Sequence, residues 1–323
     1  MRAKAPVFVL GCGRSGTTLL YHMLLSAGGF AVYRAESNAI NLLEPRFGDL
    51  SLKRNKGRLL DAWLASKLFE RSGLEAKTIK AKVMAECRNG GDFLRIVMEE
   101  IARNQGVERW AECTPEHLLH LPRIKETIPE ALIIHIIRDG RDVALSNAKL
   151  GYVTRAWWDH SPSVLACGLY WEWIVRQGRA DGGKLGADYI EVRFEDLILN
   201  PRLVLASLST FLEQELDYDR IKRVGIGSIN EPNTSFADER EGEFNPIGRW
   251  KKGFTPELLA TFEGLVGGLL QEVGYELGTP AAKLLNRPDL KRALYKTYFD
   301  TKLWLKAKTP LGKIFVTKDL SWL

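Results

Sequence analysis

A glycine-rich segment near the N-terminus has the residue types and spacing of a phosphate-binding loop. It reads Gly-Cys-Gly-Arg-Ser-Gly-Thr-Thr over residues 11–18, which is a glycine, four residues, a second glycine and two hydroxyl side chains. Glycines allow main-chain N–H groups to point at an anion, and a helix that begins directly afterwards adds its positive end. That helix end alone contributes about 0.3–2 kcal/mol toward binding an anion. The segment therefore predicts a site for a phosphate-like group.

The same loop lacks the lysine of NTP-hydrolysing P-loops. The residue after the second glycine is Thr17, where those loops carry the lysine that reaches the β- and γ-phosphates. The positive charge is instead Arg14, inside the loop. A second apolar run, Leu132–Ile137, ends in Arg138 rather than in a magnesium-binding aspartate, although Asp139 follows directly. This pattern predicts an anion held by fixed arginines without a metal, and it argues against a kinase or NTPase.

Strand–loop–helix units are predicted to position these residues. The predicted strands are 6–10, 132–137 and 188–194, with a further short strand at 110–114, and the helices that follow are 17–27, about 142–150 and 201–213. Residues 51–108 form a mostly helical stretch between the first two units. Strands that alternate with helices predict an α/β fold, here a three-layer P-loop-like arrangement with a central, mostly parallel sheet flanked by helices.

Two segments together resemble the donor-binding motifs of sulfotransferases that use 3′-phosphoadenosine 5′-phosphosulfate (PAPS). Residues 13–20 resemble the 5′-phosphosulfate loop of that family, and residues 138–146 are similar to its 3′-phosphate motif. Weaker similarities occur at 193–197 and 248–253. The order and spacing extend over roughly residues 6–277 and are closer to the carbohydrate and protein-tyrosine type than to the cytosolic phenol type. The resemblance implies sulfuryl transfer from PAPS to an acceptor hydroxyl or amine.

The resemblance also implies roles for individual residues. The 5′-phosphosulfate would be held by Gly13, Arg14, Ser15, Gly16, Thr17 and Thr18, and Arg14 would stabilise charge on the leaving phosphate. The 3′-phosphate would be held by Arg138 and Ser146. A flap over the nucleotide would be formed by Arg249, Trp250, Lys251 and Lys252. PAPS is the expected co-substrate, and no metal is expected.

The sequence offers three candidates for the general base of the transfer reaction. Glu36 is the first candidate, because similar sulfotransferases place an acidic residue there, and a base contributes about 10²–10⁴-fold to such a reaction. Glu112 and His117 are alternatives, since both lie near the end of the next predicted strand. Related sequences often have lysine where this one has Cys113. A non-catalytic nucleotide-binding relative therefore stays open as an alternative, beside a P-loop kinase or NTPase.

Structural roles compete with several of these assignments. Arg138 could form a surface ion pair with Asp139 or Asp142, and Ser146 could face solvent. Arg141 is expected on a solvated helix start. Among the aromatic side chains, 170, 171 and 173 are expected in the core because of their helical spacing, whereas 157 and 158 are left open.

Positive charge is concentrated at the C-terminal end of the 323-residue chain. The net charge is +6, and residues 281–323 contain ten Lys or Arg against three Asp. We therefore expect a single domain over residues 1–280, with a helical insertion around 51–108, and a basic, amphipathic extension over 281–323. The extension could contact an anionic membrane or a partner subunit, or fold back on the body. Because the body has almost no net charge, no nucleic acid partner is expected.

The cysteines and the apolar runs indicate a cytoplasmic protein. The four cysteines are dispersed without a Cys-x-x-Cys pair, and five histidines accompany them. This pattern predicts neither a zinc site nor a disulfide framework and suits a reducing compartment. No apolar run reaches the roughly 18 residues that a membrane span needs. The acceptor, whether tyrosine, carbohydrate, lipid or small metabolite, and the oligomeric state are not predicted.

Overall fold

A four-stranded parallel sheet forms the centre of the protein. The computed structural model describes residues 2–229, 245–280 and 289–309. Its strands are β1 (Val7–Gly11), β2 (Ala111–Glu112), β3 (Leu132–Ile137) and β4 (Tyr189–Arg193), in the order β2-β1-β3-β4. Every residue of β1 and β3 is buried, as expected for parallel strands covered on both faces. The predicted α/β fold with a parallel sheet is confirmed.

The strand order places the ends of β1 and β3 side by side. Gly11, the last residue of β1, pairs with Ile136 of β3, and Ile137 pairs with Arg193 of β4. The order reverses between β1 and β3, because β2 lies on one side of β1 while β3 and β4 lie on the other. In open parallel sheets, ligands bind outside the carboxyl ends of the strands at such a reversal. The fold thus brings the loop that carries Arg14 next to Arg138, which directly follows β3.

Helices surround the sheet and make up most of the described chain. They are α1 (Thr17–Ala27), α2 (Glu44–Phe47), α3 (Lys53–Leu64), α4 (Lys67–Ser72), α5 (Ala76–Glu86), α6 (Gly90–Asn104), α7 (Leu121–Thr127), α8 (Gly140–Leu150), α9 (Ser163–Gly182), α10 (Phe194–Leu199), α11 (Pro201–Leu212), α12 (Tyr218–Val224), α13 (Trp250–Gly253), α14 (Pro256–Glu272) and α15 (Asp289–Lys308). A π-helix covers Ala39–Leu43, and a 3₁₀-helix covers Pro115–His120. Of these described helices, none is long and apolar enough to cross a membrane.

The core has one apolar layer on each face of the sheet. Side chains alternate along a strand, so Phe8 and Leu10 of β1 belong to one layer while Val7 and Val9 belong to the other. The first layer includes Trp171, which is fully buried, and the partly buried Tyr170 and Trp173 pack against it. The expectation that these three aromatic residues belong to the core is confirmed.

The helix α15 packs onto the body, although it lies in the part of the chain predicted to be an extension. Tyr295 is fully buried, and its hydroxyl donates to Asp159 Oδ2 over 2.6 Å. Arg292 Nε donates to Glu172 Oε2 over 2.8 Å. Residues 281–288 and 310–323 of the predicted extension lie outside the described residues. In the described part, Tyr295 and Phe299 pack against the body, whereas Leu290, Leu294 and Trp304 stay exposed.

Candidate functional site

The loop after β1 has the backbone conformation that an inward-turned phosphate loop needs. Gly16 has φ 97°, in the left-handed region, and a Cβ there would lie 2.4 Å from the Phe194 ring, so glycine is required. Arg14 also has a positive φ of 74°, and the Ser15 N–H donates to the Cys12 oxygen over 3.0 Å. These contacts turn the loop sharply just before α1 begins.

Two side chains of the loop are buried at the start of α1. Ser15 is fully buried, and its Oγ has no hydrogen-bond partner among the described residues. Thr17 is buried as well, while Thr18 is half-buried. The first N–H groups of a helix have no partner within the helix. A buried hydroxyl without a partner is rare in proteins, so its presence beside these N–H groups fits a site for anionic oxygens.

Arg138 lies directly against the phosphate loop. Its Nη1 donates to the Arg14 oxygen over 3.0 Å, and its Nη2 donates to the Pro246 oxygen over 2.6 Å. Its Nε is buried and has no partner in the described chain. Burial lowers the pKa of Arg138, and the charge of Arg14 adds to this effect, whereas Asp142 opposes it. An arginine stays charged despite such a shift, so a desolvated cation lies against the loop.

The helix α8 completes the contact between the two arginine segments. Ser146 is buried, and its Oγ accepts a hydrogen bond from Arg14 Nε over 3.1 Å. The next residue, Asn147, donates from Nδ2 to the Gly13 oxygen over 3.3 Å. Ser146 therefore faces the phosphate loop rather than solvent. The structure brings Arg14, Arg138 and Ser146 into one crevice at the ends of β1 and β3.

The segment predicted to be a flap is anchored at the same end of the sheet. Asp142 of α8 accepts the Gly248 N–H at Oδ2 and the Trp250 N–H at Oδ1, each over 2.8 Å. Arg249 and Trp250 are half-buried, whereas Lys251 and Lys252 are exposed. Gly248 and Trp250 lie 106 and 108 residues after Asp142, so the sequence near Asp142 does not predict these hydrogen bonds.

The expectation that Arg141 lies on a solvated helix start is wrong, because the side chain is buried. The side chain is 2% exposed. Its Nη2 donates to Asp139 Oδ2 over 2.8 Å, its Nη1 donates to Glu263 Oε1 over 2.7 Å, and its guanidinium lies 3.8 Å from the Trp250 ring centroid. The two carboxylates compensate the cost of burying the cation. Because Glu263 comes from the distant α14, the sequence near Arg141 does not reveal this role.

Glu112 is the centre of a buried hydrogen-bond network. Its Oε1 accepts from the Ser37 Oγ over 2.8 Å, from the Thr114 N–H over 3.0 Å and from the Thr114 hydroxyl. Its Oε2 contacts His117 Nδ1 over 3.0 Å. The Ile40 N–H donates to His117 Nε2 over 3.3 Å, which assigns the proton of a neutral ring to Nδ1. Both polar side chains are therefore committed to holding residues 37–40 against the end of β2.

Glu36 differs from these two alternatives because it is exposed. Its charge acts on Arg14, where burial lowers the pKa of the guanidinium while Tyr152 and Glu36 raise it. Glu36 is thus an exposed carboxylate within electrostatic range of the loop arginine. Cys113, at the position where related sequences often have lysine, is buried in the core. Burial and the charges of Glu112 and Glu36 raise the pKa of its thiol, so it supplies no positive charge.

A known protein family matches most of the chain. The profile of the sulfotransferase family matches residues 6–218, which is well over half of the chain. The protein belongs to the sulfotransferase family. The matched range contains the phosphate loop, both arginine-bearing strand ends and α8. It ends before the flap segment and before α15.

Solved sulfotransferase structures share the fold. The sulfotransferase domain of the olefin synthase from Synechococcus PCC 7002 is 18% identical, with a TM-score of 0.50, and the match covers 91% of this chain and 94% of that domain. The sulfotransferase domain from the curacin biosynthetic pathway is 14% identical, with a TM-score of 0.50, and the match covers 84% of this chain and 98% of that domain. A search of curated proteins finds no match.

Proposed function

We propose that this sulfotransferase transfers the sulfuryl group of PAPS to a hydroxyl, or an amine, of an acceptor. The main support is the crevice in which Arg138 donates to the main chain of Arg14, at the reversal of the strand order. Two buried polar atoms in that crevice, Ser15 Oγ and Arg138 Nε, have no partner among the described residues. They fit a ligand that carries anionic oxygens, as the two phosphate-bearing ends of PAPS do.

The phosphate loop would hold the 5′-phosphosulfate end. The loop N–H groups, Ser15, Thr17 and Thr18 would donate to its oxygens. PAPS supplies an activated sulfuryl group, whose transfer leaves negative charge on the bridging oxygen. Arg14 is assigned to stabilise that charge, because preorganised donors in a desolvated site act without reorganisation. Its position is fixed from two sides, by Ser146 at Nε and by Arg138 at the main chain.

Arg138 and Ser146 would hold the 3′-phosphate end. A charge-assisted hydrogen bond of this kind contributes about 1.5–3 kcal/mol. The 3′-phosphate distinguishes PAPS from nucleotides such as ADP, so this part of the site would select the donor. The flap residues Arg249, Trp250 and Lys251 would close over the nucleotide from their anchor on Asp142.

Glu36 is assigned as the general base. Glu36 is exposed and acts electrostatically on Arg14. Glu112 and His117 are instead buried in the hydrogen-bond network that holds residues 37–40. The acceptor hydroxyl must lose its proton as the bond to sulfur forms, and a carboxylate placed beside that hydroxyl can accept it. Glu112 and His117 would then act as support for the segment that carries Glu36.

The donor can be tested by thermal shift with adenosine 3′,5′-bisphosphate and with ATP plus Mg²⁺. A ligand that binds the folded state raises its stability by mass action. We expect stronger stabilisation by the bisphosphate. Stronger stabilisation by ATP plus Mg²⁺ would instead support a P-loop kinase or NTPase. Turnover of labelled PAPS with a panel of hydroxyl and amine acceptors then separates an enzyme from a non-catalytic nucleotide-binding relative.

A further inference from the structure

A small polar cluster, formed by Asn41, Glu116 and Lys306, lies on three elements that have no part in the proposed donor site. Asn41 is in the π-helix Ala39–Leu43, Glu116 is in the 3₁₀-helix Pro115–His120, and Lys306 is in α15. Asn41 Nδ2 donates to Glu116 Oε2 over 3.2 Å, and Lys306 Nζ lies 3.5 Å from the same oxygen. The three side chains therefore form one connected group, which we call the polar cluster.

Asn41 has a buried carbonyl oxygen that no described group satisfies. The residue is 3% exposed, and its Oδ1 has no hydrogen-bond partner within the described part of the chain. Its Nδ2 donates both to Glu116 Oε2 and to Asn38 Oδ1, over 3.2 and 3.4 Å. Because both of these partners are acceptors, the amide cannot be flipped without losing the two bonds. A buried acceptor without a donor is rare, so Oδ1 points to a donor supplied by a ligand.

The polar cluster is connected by hydrogen bonds to the segment that carries Glu36. Asn41 follows Glu36 by five residues, and the intervening Asn38 N–H donates to Thr114 Oγ1 over 3.1 Å at the end of β2. Glu116 is near the phosphate loop as well: the pKa of the Cys12 thiol is raised by burial, by Cys167 and by the charge of Glu116. Cys12 precedes Arg14 by two residues. Asn38 links the cluster to Glu36, because its Nδ2 donates to the Glu36 oxygen over 3.1 Å and its Oδ1 accepts from Asn41 Nδ2 over 3.4 Å.

The cluster is open to solvent and is held by a helix outside the family match. The Glu116 side chain is 49% exposed and the Lys306 side chain is 24% exposed, so a ligand can reach them. Lys306 belongs to α15, which lies beyond residues 6–218 and is anchored through the buried Tyr295. This chain thus contributes Lys306 from its C-terminal helix to the polar cluster.

We propose that Asn41, Glu116 and Lys306 form an acceptor-recognition subsite that binds a second hydroxyl or amine group beside the one that is sulfated. Asn41 Oδ1 and Glu116 accept hydrogen bonds from that group, and Lys306 donates to a neighbouring oxygen. The acceptor class is a polyhydroxylated or amino-hydroxylated molecule. An acceptor with a single hydroxyl on an apolar skeleton leaves the Asn41 oxygen unsatisfied. The inference rests on the proposed function, because it assumes sulfuryl transfer beside Arg14.

The test uses the full chain, labelled PAPS and two probe acceptors. Methyl β-D-glucosaminide carries several hydroxyls and an amine, and cyclohexanol carries one hydroxyl. We expect kcat/KM to be at least about tenfold higher for the glucosaminide. Asn41→Leu and Lys306→Met should each raise KM for the glucosaminide by about tenfold and leave KM for cyclohexanol and the affinity for adenosine 3′,5′-bisphosphate unchanged.

Lys302→Met is the matched control, since Lys302 is exposed one turn earlier on α15 and has no contact with the polar cluster. It should leave both KM values at the wild-type level. If Asn41→Leu does not fold, Lys306→Met alone decides, because its side chain is partly exposed. Equal KM values for wild type and Lys306→Met, a preference for cyclohexanol, or bisphosphate binding without transfer to the glucosaminide would overturn the subsite. Absence of bisphosphate binding would overturn the proposed function itself.

Discussion

Arg138 Nη1 donates a hydrogen bond to the main-chain oxygen of Arg14 over 3.0 Å. The residue that ends β3 therefore supports the loop that follows β1, where the order of the strands reverses. The same guanidinium also donates to Pro246, which lies just before the flap segment. One buried cation thus connects the phosphate loop, the sheet and the segment before the flap.

The first prediction concerns Arg138. Replacement by methionine removes the charge and the donors from the crevice, so we expect the Kd of adenosine 3′,5′-bisphosphate to rise by about 10- to 150-fold, corresponding to about 1.5–3 kcal/mol. Isothermal titration calorimetry measures this change. Arg193→Met is the matched control, because Arg193 ends the neighbouring β4 and stacks on Tyr275 at 4.6 Å. Equal losses in the two variants would refute a specific role for Arg138.

The second prediction concerns Arg14. Arg14→Ala should reduce sulfuryl transfer from labelled PAPS by about 10²–10³-fold, the usual loss when one charge-stabilising donor is removed. The affinity for adenosine 3′,5′-bisphosphate should change much less, since the loop N–H groups and Arg138 are retained. Arg34→Ala, at an exposed position nearby in the sequence, should behave as wild type. Turnover of Arg14→Ala within about tenfold of wild type would show that another group stabilises the leaving phosphate.

The local parts of the fold could be predicted from the sequence. The predicted bounds of Thr17–Ala27 and Leu132–Ile137 are confirmed, because a glycine loop, an apolar run and a glycine stop are signals between residues close in the sequence. The strand predicted at 110–114 is shorter in the structure and covers only Ala111–Glu112. The Thr114 N–H donates to the Glu112 carboxylate instead of continuing the strand pairing. The helical stretch 51–108 contains four separate helices, α3 to α6.

The interactions that fix the site could not be predicted, because their partners are far apart in the sequence. Asp142 bonds to Trp250 across 108 residues, and Arg141 pairs with Glu263 across 122 residues. A single sequence shows the charge of Arg141 but not the carboxylate of α14 that allows it to be buried. The sequence offers Glu112 as a possible base because it does not show that Ser37, 75 residues away, donates to this carboxylate.

The third prediction concerns the anchor of the flap. An asparagine at position 142 can accept one of the two N–H groups but turns its NH₂ toward the other, so Asp142→Asn should release one side of the segment. We expect faster amide hydrogen exchange at Gly248 and Trp250 and roughly tenfold weaker binding of adenosine 3′,5′-bisphosphate, in line with the 1–3 kcal/mol cost of an unsatisfied buried group. Asp196→Asn, at an exposed acid of α10, is the control. Unchanged exchange at residues 248–250 would contradict the anchor.

The fourth prediction separates Glu36 from its neighbours. Glu36→Gln should lower kcat for transfer to a hydroxyl by about 10²–10⁴-fold while leaving bisphosphate affinity and stability unchanged, because the side chain is exposed and acts on the acceptor proton. Glu112→Gln should instead lower stability. Steady-state kinetics and thermal unfolding of both variants give the comparison. Full activity of Glu36→Gln would remove it as the base.

The fifth prediction is a pH dependence of stability that arises from Glu112. Burial by itself would raise the pKa of this carboxyl, but the contacts from His117, Thr114 and Ser37 outweigh it, so the net shift is downward. A carboxyl whose pKa is lower in the folded state stabilises the protein above its unfolded pKa of about 4.3. That stabilisation is lost as the pH falls through the folded value.

Glu112→Gln should accordingly be about 1–3 kcal/mol less stable than wild type at pH 7, since buried donors are left with poorer acceptors. The difference should shrink below about pH 4.3, because the unfolded wild-type chain binds a proton at Glu112 there, whereas folded Glu112 binds it only at lower pH. Urea unfolding of both proteins between pH 3 and pH 7 measures it, and the subtraction cancels the carboxylates that the two proteins share. Glu36→Gln provides the control, with a small difference at every pH. A Glu112→Gln penalty that stays constant down to pH 3 would mean that the network does not hold the charged form of Glu112.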